Sequence, residues 1–144
     1  DYCWSAWLGD ESPIEFSIPQ VYWAAGGPKG IARYNLHKLS WKAAQDNGRI
    51  SKNMPTMPFL QIHGCDGADI VRVALESNGC FLWASPSRLD DKGKEAVCVL
   101  AWMFRSGLWS KEAIKQFQAS NALTADGVVG PLTYAALVQK SQQP

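Results

Sequence analysis

Between Glu15 and Ser85, short apolar runs alternate with longer stretches of mixed polarity. Glu15 to Trp23 (EFSIPQVYW) combines β-branched and aromatic residues and predicts a strand, with Pro19 marking a bulge or the strand's start. The Gly-rich AAGGPKG ends it, and GIARYNLHKLSWKAAQ predicts a helix. Ile31, Tyr34, Leu39 and Trp41 give this helix only a partial apolar face, and Asn47-Gly48 stops it. Met57 to Gly64 (MPFLQIHG) reads as a second, nearly continuous apolar strand. The helix ADIVRVALESNG follows, with Ile70, Val71, Ala74 and Leu75 on one face and Ser77-Asn78-Gly79 as its close. Cys80 to Ser85 is a third short strand, which Pro86 ends. Short apolar strands separated by helices point to parallel βαβ units with right-handed connections.

From Glu95 to Val138 the pattern predicts three helices. Val97, Leu100, Ala101 and Phe104 fall at i, i+3, i+4 and i+7, a helical stripe that Gly107 breaks. The second helix begins near Ser110, carries Glu112 where the dipole favours an acid, and turns Ala113, Ile114 and Phe117 inward. Asp126-Gly127 predicts a tight turn, and Gly130 permits a second reversal. Pro131 then opens the third helix, where its missing N–H costs nothing, and Thr133, Ala136 and Leu137 follow. In this turn the Asp126 carboxylate is expected to cap backbone N–H groups, and Gly127 and Gly130 are expected to take positive φ. The expected fold class is therefore α/β, partial parallel βα units resembling a barrel fragment, followed by a small all-α three-helix domain. The domains are expected at residues 1–92 and 93–144.

Composition narrows the function. The chain has 144 residues and a net charge of +1, so no basic excess suits a nucleic-acid backbone. No apolar run approaches the ~18 residues of a membrane span. Seven Trp residues are many for this length and hint at carbohydrate or partner surfaces, large core residues being the alternative. Cys3, Cys65, Cys80 and Cys98 allow two disulfides or buried thiols. None has CxxC spacing, so neither metal nor cofactor is expected. The chain opens at Asp1 rather than Met, which suggests a processed chain or a fragment.

In parallel βα layers, ligands meet the C-terminal ends of the strands. Those ends hold Tyr22 and Trp23, then His63, Cys65 and Asp66, then Trp83 and Ser85. Tyr22, Trp23, His63 and Trp83 would suit a sugar cleft; alternatively, Trp23 and Trp83 fill the layer between sheet and helices. Asp66 is the only acid immediately at a strand end and the one candidate catalytic carboxylate, although glycoside hydrolysis normally takes two. Cys65 with His63 offers a thiolate-type nucleophile but lacks an orienting third group. An exposed parallel edge is an aggregation liability, so the Trp4 and Trp7 segment or another protein chain is expected to cover it.

The C-terminal run from Phe117 to Leu137 resembles the peptidoglycan-binding domain of bacterial and phage cell-wall hydrolases. The matching residues are Phe117, Gln118, Asn121, Leu123, Asp126, Gly127, Val129, Gly130, Pro131, Thr133, Tyr134 and Leu137. The family usually has Gly where Ala122 stands, and SGLWSKEA (Ser106 to Ala113) replaces its first DGxFGxxT turn. The resemblance implies a peptidoglycan or related polysaccharide partner, with Gln118, Asn121, Thr133 and Tyr134 as ligand contacts and Asp126, Gly127 and Gly130 shaping the turn. More weakly, PQVYW, PFLQIHG and GCFLWAS resemble the last strands of a lysozyme-like glycosidase barrel. Together they suggest a wall-binding polypeptide, the C-terminal portion of a muramidase-like lytic enzyme, extracellular at the cell wall. An active glycosidase, or a virion tail protein reusing the domain, is the alternative.

Overall fold

A computed structural model of the chain describes residues 20–21, 30–54, 57–62, 64–77, 79–83 and 90–143. Helices dominate. Their order with the strands is β1 (Gln20–Val21), α1 (Gly30–Asp46), β2 (Phe59–Gln61), α2 (Gly67–Glu76), β3 (Phe81–Trp83), α3 (Asp91–Arg105), α4 (Lys111–Ser120) and α5 (Pro131–Ser141). The strands pair in parallel, in the order β1-β2-β3, with Gln20 opposite Phe59 and Phe59 opposite Phe81. Among the described residues the strands span only two or three positions and helices make up most of the remainder, so the barrel-fragment expectation is not supported. The segment holding Trp4 and Trp7 lies outside the described residues.

Acidic caps start two of the helices. Asp66, in extended backbone, accepts from Ala68 N at 2.9 Å and opens α2. Asp90 accepts from Gly93 N at 2.8 Å and opens α3, while its other oxygen accepts from Gly64 N at 2.9 Å. One carboxylate thus ties the loop after β2 to the next helix. Ser110 caps α4 through Ala113 N at 3.1 Å, where the sequence places a helix start. α1 is tied to α2 by Ile31 N, which donates to Asp69 at 2.9 Å, by the Tyr34 and Ser77 hydroxyls, 2.9 Å apart, and by Tyr34 and Ile31 packing on the core.

Among the described residues the core is one large cluster, with a small second one where Ile50 and Met54 pack against Trp41 and Ala44. Leu60 from β2 meets Ile70, Val71, Val73 and Ala74 of α2, then Ala96, Val99, Leu100 and Met103 of α3, then Ile114, Phe117 and Leu137 from the last two helices. Each fully buried aliphatic contributes about 1.5–3 kcal/mol. The inward face of α3 differs from the stripe expected at Val97, Leu100, Ala101 and Phe104. Only Leu100 of that set is buried, while Val97 is 37% and Phe104 71% exposed. The helix is apolar on several sides, and α2 and α5 together select the face built on Ala96, Val99 and Met103.

A close approach locks α5 to this core. Tyr134 donates to Glu95 of α3 at 3.1 Å, and its ring lies over Gly67 at the start of α2. A Cβ at Gly67 would overlap the Tyr134 hydroxyl and Cζ. Gly67→Ala is expected to displace the Tyr134 ring and cost about 1–3 kcal/mol, the usual range for overpacking. Urea unfolding of the two proteins checks this; equal midpoints would mean that the ring does not rest there.

Candidate functional site

The site is built around one buried amide. Gln118, on the inner face of α4, is 1% exposed. Its Nε2 donates towards Asp126 Oδ1 at 2.9 Å, the Val128 carbonyl at 3.0 Å and Thr133 Oγ1 at 3.1 Å. Its Oε1 accepts from Gly127 N at 2.7 Å. A single side chain therefore fastens the end of α4, the turn at residues 126–128 and the first turn of α5. Buried polar groups left without partners cost about 1–3 kcal/mol each, so this set holds together as a unit.

The turn completes itself locally. Asp126 accepts from Val128 N at 2.8 Å. That bond, followed by the one from Gln118, holds the Asp126 carboxyl below its ordinary range. Gly127 has φ +75°, which only glycine adopts without strain, and a Cβ there would also strike Lys111. Gly130 does not need such freedom. Its φ is −92° and ψ −178°, extended backbone capping α5, because the reversal is completed at Gly127 and Pro131 sets the helix start. The second positive φ falls instead on Ala122, at 56°. This is the position at which the resemblance expects glycine, and the side chain sits strained just past the C-cap Asn121.

Around this node lies a shallow groove of about 200 Å³, walled by Leu123, Thr124, Val128, Pro131 and Leu132. Leu132 is 74% and Val128 37% exposed. Neither was singled out from the sequence, although both belong to the run DGVVGPLT; their exposure depends on how the turn is folded. The four residues expected to touch ligand have other occupations. Gln118 and Thr133 are buried and face each other. Asn121 Nδ2 donates to the Phe117 carbonyl at 2.8 Å and closes α4. Tyr134 is engaged with Glu95, and burial, then the nearby Glu95 carboxylate, push its phenol upward. A polar residue in a turn motif reads as a surface residue until the motif's own hydrogen bonds are counted.

The strand-end candidates fare differently. Tyr22, Trp23 and His63 lie outside the described residues, as does the side chain of Trp83. Asp66 is exposed, and its carboxylate serves as the cap of α2. The Cys65 thiol is buried, donates to the Gln61 carbonyl at 3.1 Å, and is pushed up to about 12 by burial, with Asp90 and Asp69 adding to the effect. That environment opposes a thiolate nucleophile. Among the described residues, no group of His, Cys, Asp and Glu could hold a metal, and no helix is long and apolar enough to cross a membrane. A larger cleft of about 620 Å³ lies along α1 over Tyr34 and Trp41. Four of its charged residues pair with one another, Lys38 with Glu76 at 3.0 Å and Lys42 with Asp46 at 2.8 Å, and Lys52 also lines it.

Two substitutions test the node. Gln118→Glu keeps the shape but puts a carboxylate against Asp126 and two further acceptors, so destabilisation by on the order of 2–4 kcal/mol is expected at neutral pH. The introduced carboxyl should have a raised folded pKa, so the deficit should shrink as pH falls from 7 towards 4. Denaturant midpoints at the two pH values read this; a deficit independent of pH would contradict it. Ala122→Gly relieves the left-handed strain and should raise stability by about 0.5–1 kcal/mol, read as a higher thermal midpoint.

No curated protein and no solved structure matched the chain. A family model did match: residues 105–137, from the end of α3 to Leu137 and including Gln118, the turn and the groove, fit the family described as "Putative peptidoglycan binding domain".

Proposed function

We propose that the chain binds peptidoglycan through its C-terminal region, residues 93–144, with residues 1–92 as an α/β segment that supports it. The observation that carries this reading is the family match over 105–137, which coincides with the segment whose interior is organised by Gln118 and whose outer surface is the groove beside Leu132. In this reading Gln118, Thr133, Asp126 and Gly127 shape the binding surface from within, and Leu123, Thr124, Val128 and Leu132 meet the ligand. The groove offers an apolar wall with backbone and hydroxyl edges, which suits the mixture of aliphatic and amide groups in a wall peptide and its attached amino sugar.

The wider setting is a wall-acting protein at the cell surface, the C-terminal portion of a lytic enzyme. Three carboxylates near the starts of α2 and α3 are taken up by backbone N–H groups, which favours anchoring over cleavage at those positions. Asp66 and Asp90 cap helices, and Asp69 accepts from Ile31 N. A general acid or base needs a carboxyl available to substrate.

Co-sedimentation of the full chain with purified sacculi tests the reading. The wild type is expected in the pellet, and Leu132→Ser should weaken binding roughly 3–10-fold, the loss of one apolar contact worth about 1 kcal/mol. Because Leu132 is so exposed, its removal should leave the thermal midpoint unchanged. A folded wild type that stays in the supernatant would overturn the assignment.

A further inference from the structure

The end of α3 carries a second outward surface that the groove does not use. Because Ala96, Val99 and Met103 face inward, Phe104 is left 71% exposed. It is nonetheless held in place. Its ring meets Trp109 edge to face, with centroids 6.1 Å apart and planes at 77°. Trp109 in turn packs partly into the core. Two residues earlier, on another side of the helix, Trp102 meets Phe117 edge to face at 6.4 Å and 71°, fixing α3 to α4. The stretch from Ala96 to Lys111 contains no carboxylate, and its charges are Arg105 and Lys111. Arg105 Nε donates to the Ala101 carbonyl at 3.3 Å, and among the described residues Arg105 forms no ion pair.

An exposed, oriented aromatic ring, with an arginine next to it in sequence, is complementary to a particular chemistry. A pyranose presents a face of C–H bonds that packs on an aromatic ring, and wall amino sugars carry amide and carboxylate oxygens that an arginine can bond. The position is also continuous with the family-matched segment, since Phe104 immediately precedes it and Trp109 lies inside it. Trp109 belongs to SGLWSKEA, the short link that stands where the family's first turn is expected.

We propose that Phe104 and Trp109, with Arg105 at the rim, form a saccharide platform that takes the glycan strand of peptidoglycan, supplying contact area that the shortened link does not build. The proposal rests on the wall-binding reading for the identity of the glycan. It goes beyond that reading in assigning sugar recognition to the end of α3, separate from the groove at Leu132.

The test uses the full chain and N-acetylglucosamine oligomers of three to five units, followed through the NMR signal of the Trp109 indole N–H. The wild type should show a saturable shift. Phe104→Ala should weaken it at least fivefold with an unchanged thermal midpoint, and Arg105→Gln should weaken it less. No shift in the wild type, or equal affinity in Phe104→Ala, overturns the platform. Sedimentation velocity covers a competing occupant: a dimer that Phe104→Ala dissociates would mean that a second copy covers the ring, and would also overturn the proposal. Sacculi binding is read in parallel. A wild type that pellets with sacculi but shows no indole shift loses the platform and keeps the wall reading. One that shifts but does not pellet keeps the platform and loses the wall reading.

Discussion

A carboxamide in a dry interior must place two N–H donors and an oxygen acceptor, and Gln118 of α4 places them on two other pieces of chain. Asp126, Gly127 and Val128 are drawn in from the turn, and Thr133 from the following helix. Hydrophobic burial alone would not specify this arrangement, since apolar contact has no direction. The amide does specify it, because each alternative position leaves a buried donor or acceptor empty. The turn's dihedral at Gly127, the direction in which α5 leaves, and the outward tilt of Val128 and Leu132 all follow from satisfying that one group.

The effect extends beyond the turn. Once α5 leaves in its set direction, Leu137 enters the core and Tyr134 reaches Glu95 over Gly67. The matched segment is thereby joined to α2 and α3 through a single apolar cluster, rather than attached as a separate bead. Acidic residues at the helix starts serve the same end: Asp90 bonds both its own helix and the loop after β2. The chemistry available for ligand is consequently what remains outside this framework, namely exposed apolar and aromatic residues with backbone edges.

Much of this was legible in the sequence where residues have narrow conformational uses. Asp126-Gly127 and Pro131 mark a turn and a helix start, and Ser110 a cap, because few other residues perform those roles so well. The helices of residues 67–76, 111–120 and 131–141 follow from periodicity and punctuation. The burial of Gln118 and Thr133 was not legible, since polarity argues for the surface and only the assembled hydrogen bonds reverse that argument. Nor was the exposure of Phe104: α3 is apolar on more than one side, and the choice of inward face belongs to its neighbours. Gly130 illustrates a third kind of miss. Glycine permits positive φ without requiring it, whereas Ala122 adopts it despite a Cβ.

Hydrogen exchange at the Gly127 amide tests the central role of Gln118 most directly. That N–H lies in a turn next to an exposed carboxylate, and its bonding partner is the Gln118 oxygen. If the amide organises the turn, Gly127 exchanges only on unfolding of the α4–α5 unit, as slowly as the helical amides of Leu137 and Ile114. Exchange at Gly127 several orders of magnitude faster than at those two positions, as in an ordinary surface turn, would contradict the account.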